Sequence, residues 1–171
     1  MARDRNRLRE FQEALSLRLR EATELPQRQS RLAVLIGDRG YLLNLDDISE
    51  VAPVGIIAPV PLTQPWFLGV TNVRGSLFAV TELTSMLRLR ALPDHGARRL
   101  ILLGQRLSKQ RAGLVVSKVV GLRLLDDMKA LDIESRRPWE TTNWQDRDGA
   151  TWVEIDLGRL AADADFLQVV H

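Results

Sequence analysis

The sequence GVTNVRGSLFAVTEL, residues 69–83, consists of two short apolar runs separated by the tripeptide Asn72-Val73-Arg74 and by Gly75. β-Branched, aromatic and aliphatic residues dominate both runs, which predicts a pair of β-strands broken at the glycine. Arg74 places a guanidinium between apolar residues, and a buried charge without a partner is strongly unfavourable. We therefore expect Arg74 either to point outward or to pair with a carboxylate.

Short apolar runs of the same kind recur on both sides of this stretch, with turn residues between them. They lie at residues 32–36, 41–45, 100–103, 114–116, 119–125 and 151–157. Such spacing predicts small antiparallel sheets or barrels in place of βαβ units. Pro59 and Pro61 cannot donate to a strand ladder, so the chain is expected to leave the sheet there. Short helices are predicted over residues 82–89 and from about Gly158, and residues 90–97 read as a loop.

Residues 3–25 follow a different pattern, with apolar side chains recurring every three or four positions. This periodicity predicts an amphipathic helix, which Pro26 ends before a polar connector. The helix either packs against its own domain or docks on another protein, since helix-in-groove recognition uses the same spacing. Its apolar stripe consists of Leu8, Phe11, Leu15, Leu19 and Ala22.

The composition restricts the class of protein. The 171 residues suffice for one compact domain or two small subdomains sharing a core. The absence of cysteine excludes disulfides and thiolate chemistry. The formal charge is only +2, and Arg and Asp/Glu alternate along most of the chain, which is not the basic patch of a nucleic-acid-binding protein. No apolar run is long enough to span a bilayer and no signal peptide is recognisable, so a cytoplasmic location is expected.

The sequence contains few groups that could carry out catalysis. His95 lies in the predicted loop at residues 90–97 and His171 is the last residue, so neither is expected to act as a base or metal ligand. The acidic pairs at residues 46–47 and 126–127 are expected in turns. No nucleophile and base occur in a known spacing, so no catalytic residue, metal site or cofactor is predicted. Three tryptophans are expected to pack locally instead of stacking sugars or bases: Trp139, Trp144 and Trp152.

Residues 69–75, followed by Leu77, Val80, an acidic residue and Leu83, resemble the signature of the CheW family. Further similarity occurs at residues 48–51, 57–61 and 113–119, so the resemblance covers about residues 31–160. Three positions depart from the family pattern, where Ser117 and Glu82 replace the usual Asp and Ala79 replaces the usual Pro. The N-terminal extension, the tryptophan-rich final quarter and Phe166-Leu167 resemble the branch that serves type IV pili and twitching motility.

The resemblance implies a mainly β fold of two small five-stranded β-barrel subdomains around a shared core. Residues 1–30 would form the N-terminal helix and connector, and residues 31–171 the CheW-like domain, with a subdomain boundary near residues 88–98. It also implies a non-enzymatic adaptor that bridges the cytoplasmic tip of a methyl-accepting chemoreceptor to the regulatory domain of a CheA-type histidine kinase. Such an adaptor is cytoplasmic, reaches membrane-bound receptor arrays only through its partners and needs no nucleic acid.

The resemblance also provides a partner for Arg74. Glu50 and Arg74 would form an ion pair across the groove in which the receptor's helical hairpin docks, and the same groove would be lined by Ile48, Val70, Asn72 and Gly75. A pair that only fixes the strand register is the alternative. Two other classes of protein stay open: a nucleic-acid-binding small β-barrel module, which would need a basic groove with surface aromatics, and a small β-barrel enzyme.

Overall fold

The computed structural model describes residues 29–94, 96–107 and 111–170, and most regular structure in this part is β-strand. The strands are β1 (Ser30–Ile36), β2 (Arg39–Asn44), β3 (Ile48–Pro53), β4 (Ile57–Ala58), β5 (Phe67–Val73), β6 (Ser76–Thr81), β7 (Arg99–Leu103), β8 (Ala112–Val116), β9 (Lys118–Leu124), β10 (Lys129–Leu131), β11 (Glu140–Gln145) and β12 (Thr151–Ile155). The α-helices are α1 (Leu83–Met86), α2 (Leu157–Ala162) and α3 (Ala164–Leu167), and short 3-10 helices span Leu45–Asp47 and Leu125–Asp127. The predicted N-terminal helix, His95 and His171 lie outside the described residues.

The strands form two six-stranded sheets, which we call sheet A and sheet B. Sheet A has the order β10-β11-β12-β2-β1-β9, and sheet B has the order β3-β7-β8-β6-β5-β4. Neighbouring strands are antiparallel except for the parallel pairs β12–β2 and β6–β8. Each sheet draws strands from both sides of the loop at residues 88–98. The subdomain boundary expected at this loop therefore does not separate one sheet from the other. It stays a prediction.

The main core lies between the two sheets. Alternate residues of β1 point into it, with Leu32, Val34 and Ile36 almost fully buried. Sheet B contributes alternate residues of β7 and β8 to the same cluster, among them Ile101 and Leu114. Smaller clusters cover the opposite faces: Ala33, Leu42, Leu125 and Trp152 on sheet A, and Val80, Leu100, Leu102 and Val115 on sheet B. Because both faces of β1, β7 and β8 are buried, these strands read as continuous apolar runs.

The tryptophans of the last quarter pack locally, as predicted. Trp139 is fully buried in the main core, and Trp152 is buried against sheet A. The indole N–H of Trp152 donates to Asp146 Oδ2 at 2.8 Å, and that of Trp144 donates to Glu154 Oε2 at 3.0 Å. Asp146 and Glu154 thus serve as acceptors for Trp152 and Trp144, whereas the buried indole N–H of Trp139 has no hydrogen-bond partner among the described residues.

The hydrogen bond from Trp152 holds the pKa of Asp146 below its ordinary value. The backbone N–H groups of Ala150 and Asp148 also donate to this carboxylate, and they act in the same direction. One carboxylate thereby closes the β11–β12 turn and fixes an indole. The predicted turn at residues 146–149 is confirmed.

Most predicted strands are confirmed, and the mainly β fold class is confirmed with them. The differences lie at the sheet edges, where the two-residue β4 and the three-residue β10 give six strands per sheet in place of five. The strands β10 and β11 were not predicted, because Thr, Asn, Gln and Lys dilute the apolar alternation there. The helix predicted over residues 82–89 has only four residues, because Leu87 caps it and the chain turns out of the helix at Arg88, whose φ is 54°.

The end of the described chain packs against the segment that leads into β5. The rings of Trp66 and Phe166 stack with centroids 5.6 Å apart, and Gln64 N–H donates to the carbonyl of Val169 at 2.8 Å. An isolated bridge joins Thr63 to Val170. These contacts anchor the approach to the β5–β6 hairpin, which carries the candidate site. Among the described residues, no helix has the length and apolar character that crossing a membrane would require.

Candidate functional site

Arg74 lies in the tip of the β5–β6 hairpin. Val73 pairs with Ser76, so Arg74 and Gly75 are the two central residues of the turn, and their φ angles are 51° and 82°. Positive φ at both positions is the pattern of a type I′ turn, whose twist suits a hairpin. The side-chain oxygen of Asn72 accepts a hydrogen bond from Gly75 N–H at 2.8 Å. The tetrapeptide at residues 72–75 thus encodes the turn and presents the Arg74 side chain beyond the strands.

Arginine is an unfavourable residue for the first central position of this turn. A left-handed backbone costs a residue with a Cβ about 1–2 kcal/mol, a cost that glycine avoids and asparagine reduces. A Cβ added to Gly75 would have no atom within 4 Å, so the glycine is explained by its backbone conformation and not by lack of space. Leu62 and Arg88 are the other two non-glycine residues of the described chain with positive φ, and neither lies in a two-residue hairpin turn.

The guanidinium of Arg74 is paired with Glu50, as the resemblance implied. Arg74 Nη2 donates to Glu50 Oε1 at 2.9 Å, and the two side chains are 80% and 30% exposed. A pair this exposed contributes only about 0–1 kcal/mol to stability. The remaining guanidinium N–H groups face solvent and can donate to a partner. The carboxylate of Glu50 thus holds the guanidinium of Arg74 in place, with its remaining N–H groups directed toward solvent.

The ion pair joins parts of sheet B that are distant in strand order. Glu50 lies on the edge strand β3, whereas Arg74 lies between β5 and β6, with β7 and β8 separating them. The sheet must therefore curl until the hairpin tip meets the edge strand. A register shift between Ile48 and Glu50 helps to aim the carboxylate, and Ser49 at the shift donates its hydroxyl to the carbonyl of Leu102 at 3.1 Å.

A shallow depression of about 200 Å³ lies beside the pair. Its lining combines apolar side chains, groups that can donate hydrogen bonds (guanidinium, amide and hydroxyl) and the carboxylate of Glu50. The lining residues are Ser49, Glu50, Val73, Arg74, Ser76, Phe78, Leu102, Gln105 and Arg111. Such a surface suits an apolar side chain flanked by an acidic group on a partner protein. Its described lining contains no paired nucleophile and base.

The structure brings together some of the predicted site residues and separates others. Asn72 and Gly75 form the turn that carries Arg74, next to Glu50. Ile48 is half-buried and packs against the main core, and it does not line the depression. Val70 lies in the middle of β5, opposite Ala79 and Ala58, and does not line it either. A partner-binding role for any of these residues stays a prediction.

Leu8, Phe11, Leu15 and Leu19 of the proposed docking helix lie outside the described residues. The acidic pairs expected in turns are each engaged by one arginine: Asp47 accepts from Arg106 at 2.7 Å, and Asp127 from Arg147 at 2.6 Å. Within the described ranges, no group of three or more His, Cys, Asp or Glu side chains could hold a metal ion.

Arg111 and Gln105 are residues of the depression that sequence reasoning missed. They flank the β7–β8 connection and reach the site because β8 pairs in parallel with β6, placing Ala112 opposite Ala79. A parallel contact between strands so distant in sequence leaves no local pattern. Sequence could have identified only the positive charge of residue 111, which resembles many other arginines of the chain.

The three departures from the family pattern each have a structural use. Ala79 donates its N–H to the carbonyl of Arg111 at 2.9 Å, a hydrogen bond that proline could not make. Ser117 Oγ accepts from the N–H of Gly37 at 3.0 Å. Glu82 Oε1 accepts from the hydroxyl of Thr84 at 2.6 Å. These positions are occupied by internal contacts and leave the ion pair unchanged.

Comparison with known proteins agrees with this architecture. The family model of the CheW-like domain matches residues 31–165. The crystal structure of the scaffolding protein TtCheW from Thermoanaerobacter tengcongensis is similar, with a TM-score of 0.71 and 17% sequence identity over 85% of this chain and 94% of that one. A comparison with curated protein sequences finds no match. On the family model, which covers most of its length, the chain belongs to the CheW-like domain family.

Proposed function

We propose that this protein is a non-enzymatic adaptor that couples the cytoplasmic tip of a methyl-accepting chemoreceptor to the regulatory domain of a CheA-type histidine kinase. Membership of the CheW-like family supports this function, as does the likeness to a protein described as a scaffold. The adaptor needs no cofactor and works in the cytoplasm, beside receptor arrays. On this proposal, binding surfaces and not reactive groups are the functional parts of the molecule.

The observation that carries the proposal is the exposed Arg74 guanidinium, held by Glu50 on a strained turn. The receptor's helical hairpin would dock against it. Two half-buried apolar side chains, Val73 and Phe78, line the depression beside the pair. Apolar anchors around an arginine are the usual composition of a protein-binding surface. Ile48 and Val70 would support this surface from the strands beneath it.

The kinase would bind elsewhere, so that one adaptor holds both partners. Open sheet edges are the natural place, because unpaired strand edges accept another chain. Sheet A ends in β9 and β10, and sheet B ends in β3 and β4. Since β3 also carries Glu50, we assign the receptor to the β3 edge and the kinase to a different edge.

We further propose that the adaptor belongs to the PilI branch, which serves type IV pili and twitching motility. The support is the long N-terminal extension, the tryptophan-rich final quarter and the Phe166-Leu167 ending. Co-purification from the native cell tests it, since the receptor and kinase recovered with the protein should be those of the pilus system. Recovery of flagellar chemotaxis partners alone would contradict this assignment.

A pulldown with the receptor's cytoplasmic fragment tests the receptor site. Arg74→Glu should reduce capture at least about tenfold, because it reverses the charge offered to the receptor. Arg147→Glu is the matched control: Arg147 is 78% exposed, pairs with Asp127 at 2.6 Å and also lies in a hairpin turn. It should leave capture unchanged. Equal capture by wild type and Arg74→Glu would contradict the site.

The charge swap Glu50→Arg with Arg74→Glu separates binding from architecture. The swap can restore an ion pair between the two positions, but it presents a carboxylate where the receptor expects a guanidinium. Capture should stay low in the swap variant. Full recovery would mean that the pair only fixes the strand register, which is the structural alternative.

The nucleic-acid-binding alternative is not favoured. Trp139 and Trp152 are buried, and the Trp144 indole is engaged by Glu154, so these rings offer no stacking platform. A short oligonucleotide is accordingly expected not to bind at micromolar protein and low salt. Salt-sensitive binding would contradict this expectation.

A further inference from the structure

The core-facing side of sheet A continues past its cover at the β9 edge. Ile155, Leu43, Leu32 and Leu122 lie opposite one another on β12, β2, β1 and β9, and so form a row across the sheet. The first three are 1%, 0% and 7% exposed, whereas Leu122 is 59% exposed. Sheet B covers this row as far as β1 and leaves Leu122 exposed. Within the described part of the chain, this end of the row has no cover, although it is continuous with the main core.

A second exposed apolar residue, Val120, lies two positions before Leu122 on the same strand. The register shift between β1 and β9 makes Val120 the extra residue of a bulge, and it is 37% exposed. We call Leu122 and Val120 the β9 patch. Two exposed apolar residues on an edge strand invite a covering element.

The described chain begins at the end of this patch. Leu125 N–H donates to the carbonyl of Gln29 at 3.0 Å, and Ser30 lies opposite Leu124. The 28 residues that precede Gln29 therefore start beside the C-terminal end of β9. Their sequence predicts the amphipathic helix over residues 3–25, followed by a connector of three residues that spans at most about 10 Å.

The lengths of the two elements match. Along β9, Leu122 lies about 7 Å and Val120 about 13 Å from Leu124. Along a helix ending at residue 25, Leu19 lies about 9 Å and Leu15 about 15 Å from that end. A helix that turns back at Pro26 and follows β9 would place Leu19 level with Leu122 and Leu15 level with Val120.

We propose that the N-terminal segment, residues 3–25, docks as a helix on the β9 patch of its own chain, with Leu15 and Leu19 covering Val120 and Leu122. The docked segment completes the cover of sheet A and shields the β9 edge from other chains. The inference does not rest on the proposed function, since it concerns one surface of the chain and one segment of the same chain.

Disulfide trapping tests the contact directly, because the chain contains no cysteine of its own. The full chain is prepared with Leu19→Cys and Leu122→Cys, diluted to submicromolar concentration and oxidised. The matched control carries Leu17→Cys with Leu122→Cys, because Leu17 lies on the opposite face of the predicted helix. The monomeric disulfide should form at least about tenfold faster in the first variant than in the control. Equal rates, or a covalent dimer as the main product, would overturn the proposal.

Hydrogen exchange on the full chain provides a second test without engineered cysteines. Leu122→Asp should raise amide exchange throughout residues 8–22, because it removes the surface on which they dock. Leu77→Asp is the matched control, since Leu77 is 64% exposed on β6 of sheet B. It should leave those amides unchanged. Unprotected residues 8–22 in the wild type, or protection that Leu122→Asp leaves intact, would overturn the proposal.

Discussion

Replacing Arg74 with asparagine separates the stability of the β5–β6 turn from its function. The turn has positive φ at both central residues, and Asn-Gly is the dipeptide that such turns favour. Arg74→Asn therefore improves the backbone fit while it removes the guanidinium. Stability and binding are expected to change in opposite directions, which a purely structural ion pair would not produce.

The magnitude follows from two opposing contributions. Relief of the left-handed arginine is worth up to about 1–2 kcal/mol, of which asparagine recovers a part. Loss of the exposed pair with Glu50 costs about 0–1 kcal/mol. The free energy of unfolding should therefore stay the same or rise by about 1 kcal/mol, equivalent to a Tm increase of up to about 4 °C.

Receptor binding should weaken in the same variant. A central arginine in an interface commonly contributes about 2 kcal/mol or more, so Kd should increase at least about tenfold. Titration with the receptor's cytoplasmic fragment measures Kd, and chemical denaturation measures stability. Arg147→Asn is the control: it removes an equally exposed pair in sheet A without a positive-φ arginine, so it should cost up to about 1 kcal/mol and leave Kd unchanged.

If Arg74→Asn lowers the free energy of unfolding by more than about 1 kcal/mol, the pair with Glu50 is worth more than its exposure allows. The site would then be structural. Unchanged Kd in a stable variant would also contradict the receptor role of Arg74.

Three further predictions concern the scaffold. Gly69→Ala should lower the free energy of unfolding by about 3 kcal/mol or more, because a Cβ there collides with a backbone carbonyl of β4. Gly121 also has positive φ but has open space around it, so Gly121→Ala should lower the free energy of unfolding by only about 1–2 kcal/mol in the same denaturation experiment. Phe166→Ala should lower the free energy of unfolding by about 3 kcal/mol, because it removes the ring stacked on Trp66. An unchanged Tm would contradict a stabilising role for this stacked pair. The pKa of Asp146 is lower in the folded chain than its ordinary 3.8, so its carboxylate stabilises the fold above that pH and loses the contribution as pH falls through the folded value. Asp146→Asn should therefore reduce stability at neutral pH, with the difference from wild type shrinking in acid, and a difference independent of pH would contradict the shift.

The strands that sequence predicted well are those with both faces buried. Residues 100–103 and 114–116 are continuous apolar runs because the main core covers one face and a smaller cluster the other. The turn at residues 72–75 was also readable, since its glycine and asparagine act locally. Strands buried on both faces and turns fixed by their own side chains can therefore be recognised from the sequence alone.

The remaining features depend on contacts between distant segments. Strand β11 is polar along much of its length and is held by pairing with β10 and β12. Arg111 joins the depression only through the parallel β6–β8 pair. Glu50 was assigned to Arg74 by family resemblance, because nothing in the spacing of residues 50 and 74 indicates that sheet B curls to bring them together.

The central claim is that one chain holds a receptor and a kinase at once. Co-sedimentation of a CheA-type kinase with receptor-bearing membranes tests it most directly, with and without this protein. The kinase should sediment only when the adaptor is present, and the Arg74→Glu variant should abolish this sedimentation while still binding the kinase in solution. Sedimentation of the kinase without the adaptor, or at undiminished levels with Arg74→Glu, would contradict it.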